Sequence, residues 1–286
     1  MEKARAEAKN RYADRIREYK HTVEIIRKDA EKLESAIRER TSGSQDPEEL
    51  GRINHLRLEL TSGYLNLVSY YILMNSLSLA LLGMKNEAYL NEARKACYKS
   101  IIALEEIVTP YIDVPYAEYG DRLASIEDYS DQQRYGLIKK LGFSIDSVIE
   151  DFGQNSKWKW SFVELQARYA AITKNLINMK SFVARLDPRV EGYADRVGHM
   201  NLSKRLLQQA ADRYREKYEL LTLRLDDIKQ AIRFLAALRR LHLLLGESEE
   251  SDIVKKKIEI WKAKMETDQK KQEDARRIEK LKKKRD

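Results

Sequence analysis

The 286-residue sequence predicts an all-α fold: an elongated, bent bundle of about seven long helices with coiled-coil-like packing. Three observations predict it. Only four prolines and eleven glycines punctuate the chain, so turns are few and helices must be long. No stretch alternates apolar and polar residues in the Val/Ile/Thr-rich manner of a strand. Apolar residues recur instead at three- and four-residue steps.

The first helix carries the clearest periodicity. Tyr12, Ile16, Tyr19, Val23, Ile26, Ala30, Leu33 and Ile37 form a heptad seam roughly 38 Å long. Its other faces are charged, so the stripe requires a partner helix. Thr41 to Pro47 is a loop. Asp46-Pro47 then restarts a helix, with Asp46 as N-cap, Pro47 at the first position and Glu49 placed for a capping box. This second helix runs to about Gly83 and a third spans Glu87 to about Val108, giving an αα-hairpin.

No charged residue falls between Leu60 and Met84. That run is long enough to cross a bilayer. Its asparagines, threonine and four serines favour instead a central bundle helix, buried on most sides.

Pro110, Pro115 and Gly120 make Thr109–Gly120 an elbow. Ser130-Asp131-Gln132-Gln133 opens a helix to about Gly153, and another is expected from about Ser156 to Leu186. Asp187-Pro188 repeats the cap-plus-proline start and leads a long helical region to Leu245, with Gly192 and Gly198 as candidate kinks. Within that region Leu221, Leu225, Ile228, Ile232, Leu235 and Leu238 form a second heptad-like stripe. A last helix begins near Ser251, with Val254, Ile258, Trp261 and Met265 on its apolar face. Three regions follow: 1–120, the first helix plus the hairpin; 121–250, a long-helix bundle; and 251–286, a basic helical extension.

The formal net charge is +8, and almost all of it lies at one end: fourteen Lys or Arg face seven Asp or Glu from Ile253 onward. A basic tail on a near-neutral body argues for a local anionic contact and against a whole-surface nucleic-acid footprint. Cys97 is the only cysteine, so no intrachain disulfide can form. Residues Met1 to Lys20 are charged throughout and contain no secretory signal. A mature chain would have lost one.

Signals for chemistry are absent. His21, His55, His199 and His242 stand at no metal-ligand spacing. The adjacent acidic pairs Glu105-Glu106, Asp226-Asp227 and Glu249-Glu250 point to different helix faces. There is no phosphate-cradling glycine loop and no nucleophile elbow. The expectation is a protein with no catalytic residues, no metal, no cofactor and no small-molecule substrate.

Aromatic residues mark the candidate binding surfaces. Tyr111, Tyr116, Tyr119, Tyr129 and Tyr135 crowd the elbow and its flank. They either meet a partner or cap the ends of the bundle. Trp158 and Trp160, two residues apart, cannot share one narrow helix stripe, so at least one is expected to be exposed or covered by another chain. Lys280, Lys282, Lys283, Lys284 and Arg285 either contact an anionic surface or form a solvated end.

The hairpin from Thr61 to Val108, the Pro/Tyr elbow to Gly120 and the two long carboxy-terminal helices together resemble the flagellar-coiling sheath proteins of spirochaetes. The resemblance covers most of the chain in architecture and composition. It implies a helical, bent protein that coats a periplasmic flagellum and imposes curvature on it, with filament or sheath subunits as partners. It implies no particular site residues. The long helices, the tyrosine-rich bend, the tryptophan pair and the seam that needs a partner themselves lead to the expectation of a structural or assembly protein in a filament or large complex. The alternatives are a cytoplasmic coiled-coil adaptor, or a basic-helix binder of membrane surfaces or nucleic acid.

Overall fold

A computed structural model describes residues 2–41, 46–153 and 156–282. The chain is all-helical, with no strand among the described residues. Ten α-helices are described: α1 (Glu2–Thr41), α2 (Pro47–Leu82), α3 (Glu87–Ile107), α4 (Gly120–Ala124), α5 (Asp131–Phe152), α6 (Lys159–Asn175), α7 (Met179–Ala184), α8 (Tyr193–Lys217), α9 (Leu225–Leu244) and α10 (Ser248–Lys282). They form two compact units, residues 1–201 and 202–286. The division falls inside α8, at a point that no proline or glycine marks.

In the first unit α2 is central. It packs along α1, α3 and α5. The α1 seam works as its spacing predicts: Ile16, Val23, Ala30 and Ile37 are buried. The polar residues of α2 also find partners within the chain. Asn54 donates to Ser125 Oγ at 2.8 Å. Asn75 donates to Asp151 Oδ2 at 2.9 Å and accepts from Asn86 N at 2.8 Å. These bonds suit a core helix, although α2 is long and apolar enough to span a bilayer by length and composition.

Local signals set most helix ends. Asp46 accepts from Glu48 N, and Pro47 opens α2. Glu49 pairs with Arg40 at 2.9 Å and Arg52 at 3.1 Å, tying α2 to the end of α1. Gly83 closes α2 in the left-handed region, φ +67°, where a Cβ would be strained. Ser130 and Gln133 complete a reciprocal capping box on α5.

Two expected continuous helices are broken. The helix expected from Ser156 to Leu186 stops at Asn175 and resumes at Met179. The interruption has long-range causes. Asn175 donates to the carbonyls of Thr109 and Tyr111, Arg134 reaches the carbonyl of Leu176, and Asn178 caps α7 through Ser181 N. Nor does Asp187-Pro188 start a helix. Asp187 holds Arg189 through its backbone N–H and guanidinium, the chain turns, and α8 begins only after Gly192 at φ +77°. Gly198 is not a kink, because α8 runs through it. Its missing side chain admits the Tyr135 ring, which a Cβ would meet at 2.9 Å.

In the second unit, residues of α8 pack on the α9–α10 pair. Tyr214 stacks on Phe234 at 6.0 Å, and Arg215 lies 5.2 Å over the Trp261 ring. Between α8 and α9 the expected continuous helix loosens into a π-helical turn, Tyr218–Thr222, and Leu223 takes φ +47°. Thr222 Oγ1 donates to Asp227 at 2.6 Å, and Lys217 pairs with Asp227 at 3.1 Å, drawing the turn closed. The second stripe is therefore shorter than its spacing predicts. Ile228, Ile232, Leu235 and Leu238 are buried, whereas Leu221 is exposed.

Candidate functional site

The tyrosine elbow is a packed knot. Tyr119 is 1% exposed and its hydroxyl accepts from Lys174 Nζ at 3.2 Å. The expectation that Tyr119 faces a partner is therefore corrected: its ring fills the core. Tyr116 is half-buried, donates to Asn178 Oδ1 at 3.0 Å and meets Tyr119 edge-on. Tyr129 is half-buried, and its carbonyl accepts from Arg134 Nε at 2.7 Å. Tyr135 stacks on His199, with ring centroids 5.9 Å apart. Of the five rings only Tyr111 projects, at 65% exposure. Four of the five elbow tyrosines thus pack within the chain, Tyr119 fully and Tyr116, Tyr129 and Tyr135 in part.

The tryptophans are also held down, and both are half-buried. Trp158 precedes α6 and lies beneath Arg94, whose guanidinium is 4.0 Å from the ring centroid. Phe152 meets it edge-on. Lys159 Nζ lies 4.9 Å from the Trp160 ring. The helical-spacing argument fails for this pair because only Trp160 is within the helix. Lys280 and Lys282 lie in α10, and Lys283, Lys284 and Arg285 lie outside the described residues.

A different surface stands out. On α2 the residues Ser62, Asn66, Ser69, Leu73, Ser76 and Ala80 are all exposed. Their spacing alternates four and three, so they form one straight stripe roughly 27 Å long. No charge interrupts it, on a chain that is 35% charged. The expectation that α2 is buried on most sides holds for the faces toward α1, α3 and α5 and fails for this one. The signal was available: the polar residues of the charge-free run recur at heptad spacing. Which face they occupy follows only from where the other helices pack.

Two groups of potential chemistry are structural. Cys97 is fully buried, and burial pushes its thiol up to about 12, so it stays protonated and inert. His199 is buried and donates to the Thr173 carbonyl at 2.8 Å. Burial lowers its pKa to about 4, the nearby Arg134 charge also lowers it, and the Thr173 bond and Asp131 oppose. Among the described residues, no group of three or more His, Cys, Asp or Glu could hold a metal ion.

The His199 shift predicts a pH dependence. Folding favours the neutral ring, so below about pH 6.5 the unfolded chain takes up this proton first. Stability present above pH 6.5 is lost as pH falls toward 4, by up to about 3 kcal/mol, and the loss then levels off. Denaturation midpoints measured across that window should flatten in His199→Gln. An unchanged slope would assign the acid limb to other groups.

A family model matches residues 8–269, nearly the whole chain, and is described as the TP0443 family, a Treponema protein family. No curated protein and no solved structure matches the chain.

Proposed function

The chain belongs to the TP0443 family, and from that premise we propose that it is a non-catalytic structural or assembly protein that binds partner proteins along a filament or large complex. The observation that carries this reading is the exposed α2 stripe. Solvent-facing helix surfaces are ordinarily charged, as on α1, where Glu24, Lys28, Asp29 and Lys32 are exposed. An uncharged face of small residues lets another backbone approach closely and leaves no charge to desolvate. Exposed Phe143 and Tyr111 add aromatic anchors on the same unit.

The finer reading is a coat on a periplasmic flagellum that shapes its curvature. Two things support it: the resemblance to flagellar-coiling proteins, and membership in a family of Treponema, a spirochaete genus. A cytoplasmic coiled-coil adaptor is the alternative.

The test is recovery with isolated flagellar filaments. Wild-type chain should co-purify with them. Leu73→Glu combined with Ser76→Glu, both at exposed positions, should keep its helicity and lose at least about tenfold in recovery, since an unpaired charge buried in an interface costs several kcal/mol. A chain found only in the soluble cytoplasmic fraction would exclude the flagellar reading. Equal recovery of the variant would exclude the α2 stripe as the contact.

A further inference from the structure

The turn between α8 and α9 is unusual in three ways. It contains a π-helical segment, a geometry found mostly as single turns and often at functional positions. It ends in Leu223 at φ +47°, the only non-glycine residue with positive φ among those described. It also exposes three leucines within four positions: Leu220 at 69%, Leu221 at 54% and Leu223 at 59%. A left-handed backbone is disfavoured for leucine, and glycine would adopt it freely. The Leu223 side chain is exposed, and its backbone is held within the turn, its N–H donating to the Tyr218 carbonyl at 3.0 Å. Residues held in such sparsely populated conformations cluster at ligand clamps and switch regions.

Helix α10 meets the same turn. Gln272 Nε2 donates to the Leu223 carbonyl at 2.9 Å, and Tyr218 donates to Asp268 at 2.8 Å. From Gln272, α10 continues for ten residues to Lys282, roughly 15 Å further. From Lys270 to Lys282 the sequence of α10 carries six Lys or Arg against three Asp or Glu. Lys270, Lys271 and Arg277 are exposed, as is Arg224 beside the leucines, and Ile278 adds an apolar side chain at 54% exposure.

We propose that the Leu220–Leu223 turn and the adjoining basic stretch of α10 form a peripheral docking site for an anionic phospholipid bilayer. The chemistry is that of interfacial membrane binding: cations approach the headgroups while a protruding apolar tip enters the boundary of the acyl chains. Charge decides against a deep protein pocket as occupant. A pocket that received three leucines would also have to desolvate the lysines and arginines beside them, whereas headgroups neutralise those cations in place. This contact is separate from the α2 stripe and stands whether or not that stripe binds a filament.

The experiment is co-sedimentation of the full chain with vesicles of phosphatidylcholine, alone or with about a third phosphatidylglycerol. Binding is expected only to the anionic vesicles, and it should weaken at least tenfold as salt rises from about 50 to about 300 mM, because both the Debye length and headgroup attraction shrink. Leu220→Ser with Leu221→Ser should weaken it at least about tenfold further while the melting curve is unchanged, since both positions are solvent-facing. Leu223→Gly should melt higher and bind more weakly, separating strain relief from loss of the tip. Absence of binding to anionic vesicles at low salt overturns the proposal. Binding that the leucine variants leave unchanged also overturns it, because the basic stretch would then act alone.

Discussion

Arg134→Met lowers stability by about 3–5 kcal/mol. The guanidinium is 4% exposed. It donates to the carbonyls of Ile126 at 2.6 Å, Tyr129 at 2.7 Å and Leu176 at 3.4 Å. One side chain thus ties the segment before α5 to the break after α6. Burial pulls the Arg134 pKa below the ordinary arginine value, and Asp131 partly opposes that pull. Methionine keeps the apolar stem and leaves the Tyr129 and Leu176 carbonyls without this donor, each costing about 1–3 kcal/mol, while the Ile126 carbonyl keeps only its bond from Tyr129 N at 3.1 Å. Urea denaturation should show the lost stability, and hydrogen exchange should accelerate at Ile126–Arg134 and Asn175–Asn178. A change below about 1 kcal/mol would show that the carbonyls find water or other donors.

Gly142→Ala destabilises by about 2–3 kcal/mol, against the helix-propensity trend. Glycine within an exposed helix ordinarily costs about 1 kcal/mol relative to alanine, so the replacement normally stabilises. At 142 the added Cβ would overlap the Tyr169 hydroxyl and come within 2.9 Å of its ring carbon Cζ. The ring cannot easily retreat, because Tyr169 is buried and its hydroxyl donates to the Ile138 carbonyl at 3.0 Å. Gly136 lies in the same helix, and a Cβ added there would meet nothing within 4 Å, so Gly136→Ala should stabilise by about 1 kcal/mol. Opposite signs at two glycines six residues apart separate packing from propensity. Combining Gly142→Ala with Tyr169→Phe should cost less than the sum of the two single changes. Additive losses would mean that the two side chains do not collide.

What could be read from sequence divides along the range of the interactions. The Asp46-Pro47 start, the opening of α5 at Ser130 and the Gly83 stop are local chemistry, and the structure places each as expected. The capping box expected at Glu49 does not form, because Asp46 accepts from Glu48 N and Glu49 turns to Arg40 and Arg52. The α1 seam is likewise local in cause, because its charged faces leave only one side to bury. The break at Leu176–Asn178 depends on Thr109, Tyr111 and Arg134, which lie tens of residues away, so periodicity alone carries the helix straight through it. Pro110, Pro115 and Gly120 locate the elbow, but nothing local tells which of its tyrosine rings turn inward. Tyr119 is core and Tyr111 is surface, though the sequence around them looks alike. The α2 run presents the converse case. Its lack of charge announced a special helix, but that helix has a buried side and an exposed side, and only the packing of α1, α3 and α5 distinguishes them.

Thiol labelling at Ser69 tests most directly whether the α2 stripe is a contact surface. Native Cys97 is fully buried, so a maleimide reads only an introduced cysteine. Ser69→Cys should label readily in the purified chain and be protected in native assemblies isolated from cells. Glu24→Cys, on the charged face of α1, should label in both. Equal labelling of Ser69→Cys in the purified and the assembled states would contradict the assignment of this stripe to a partner.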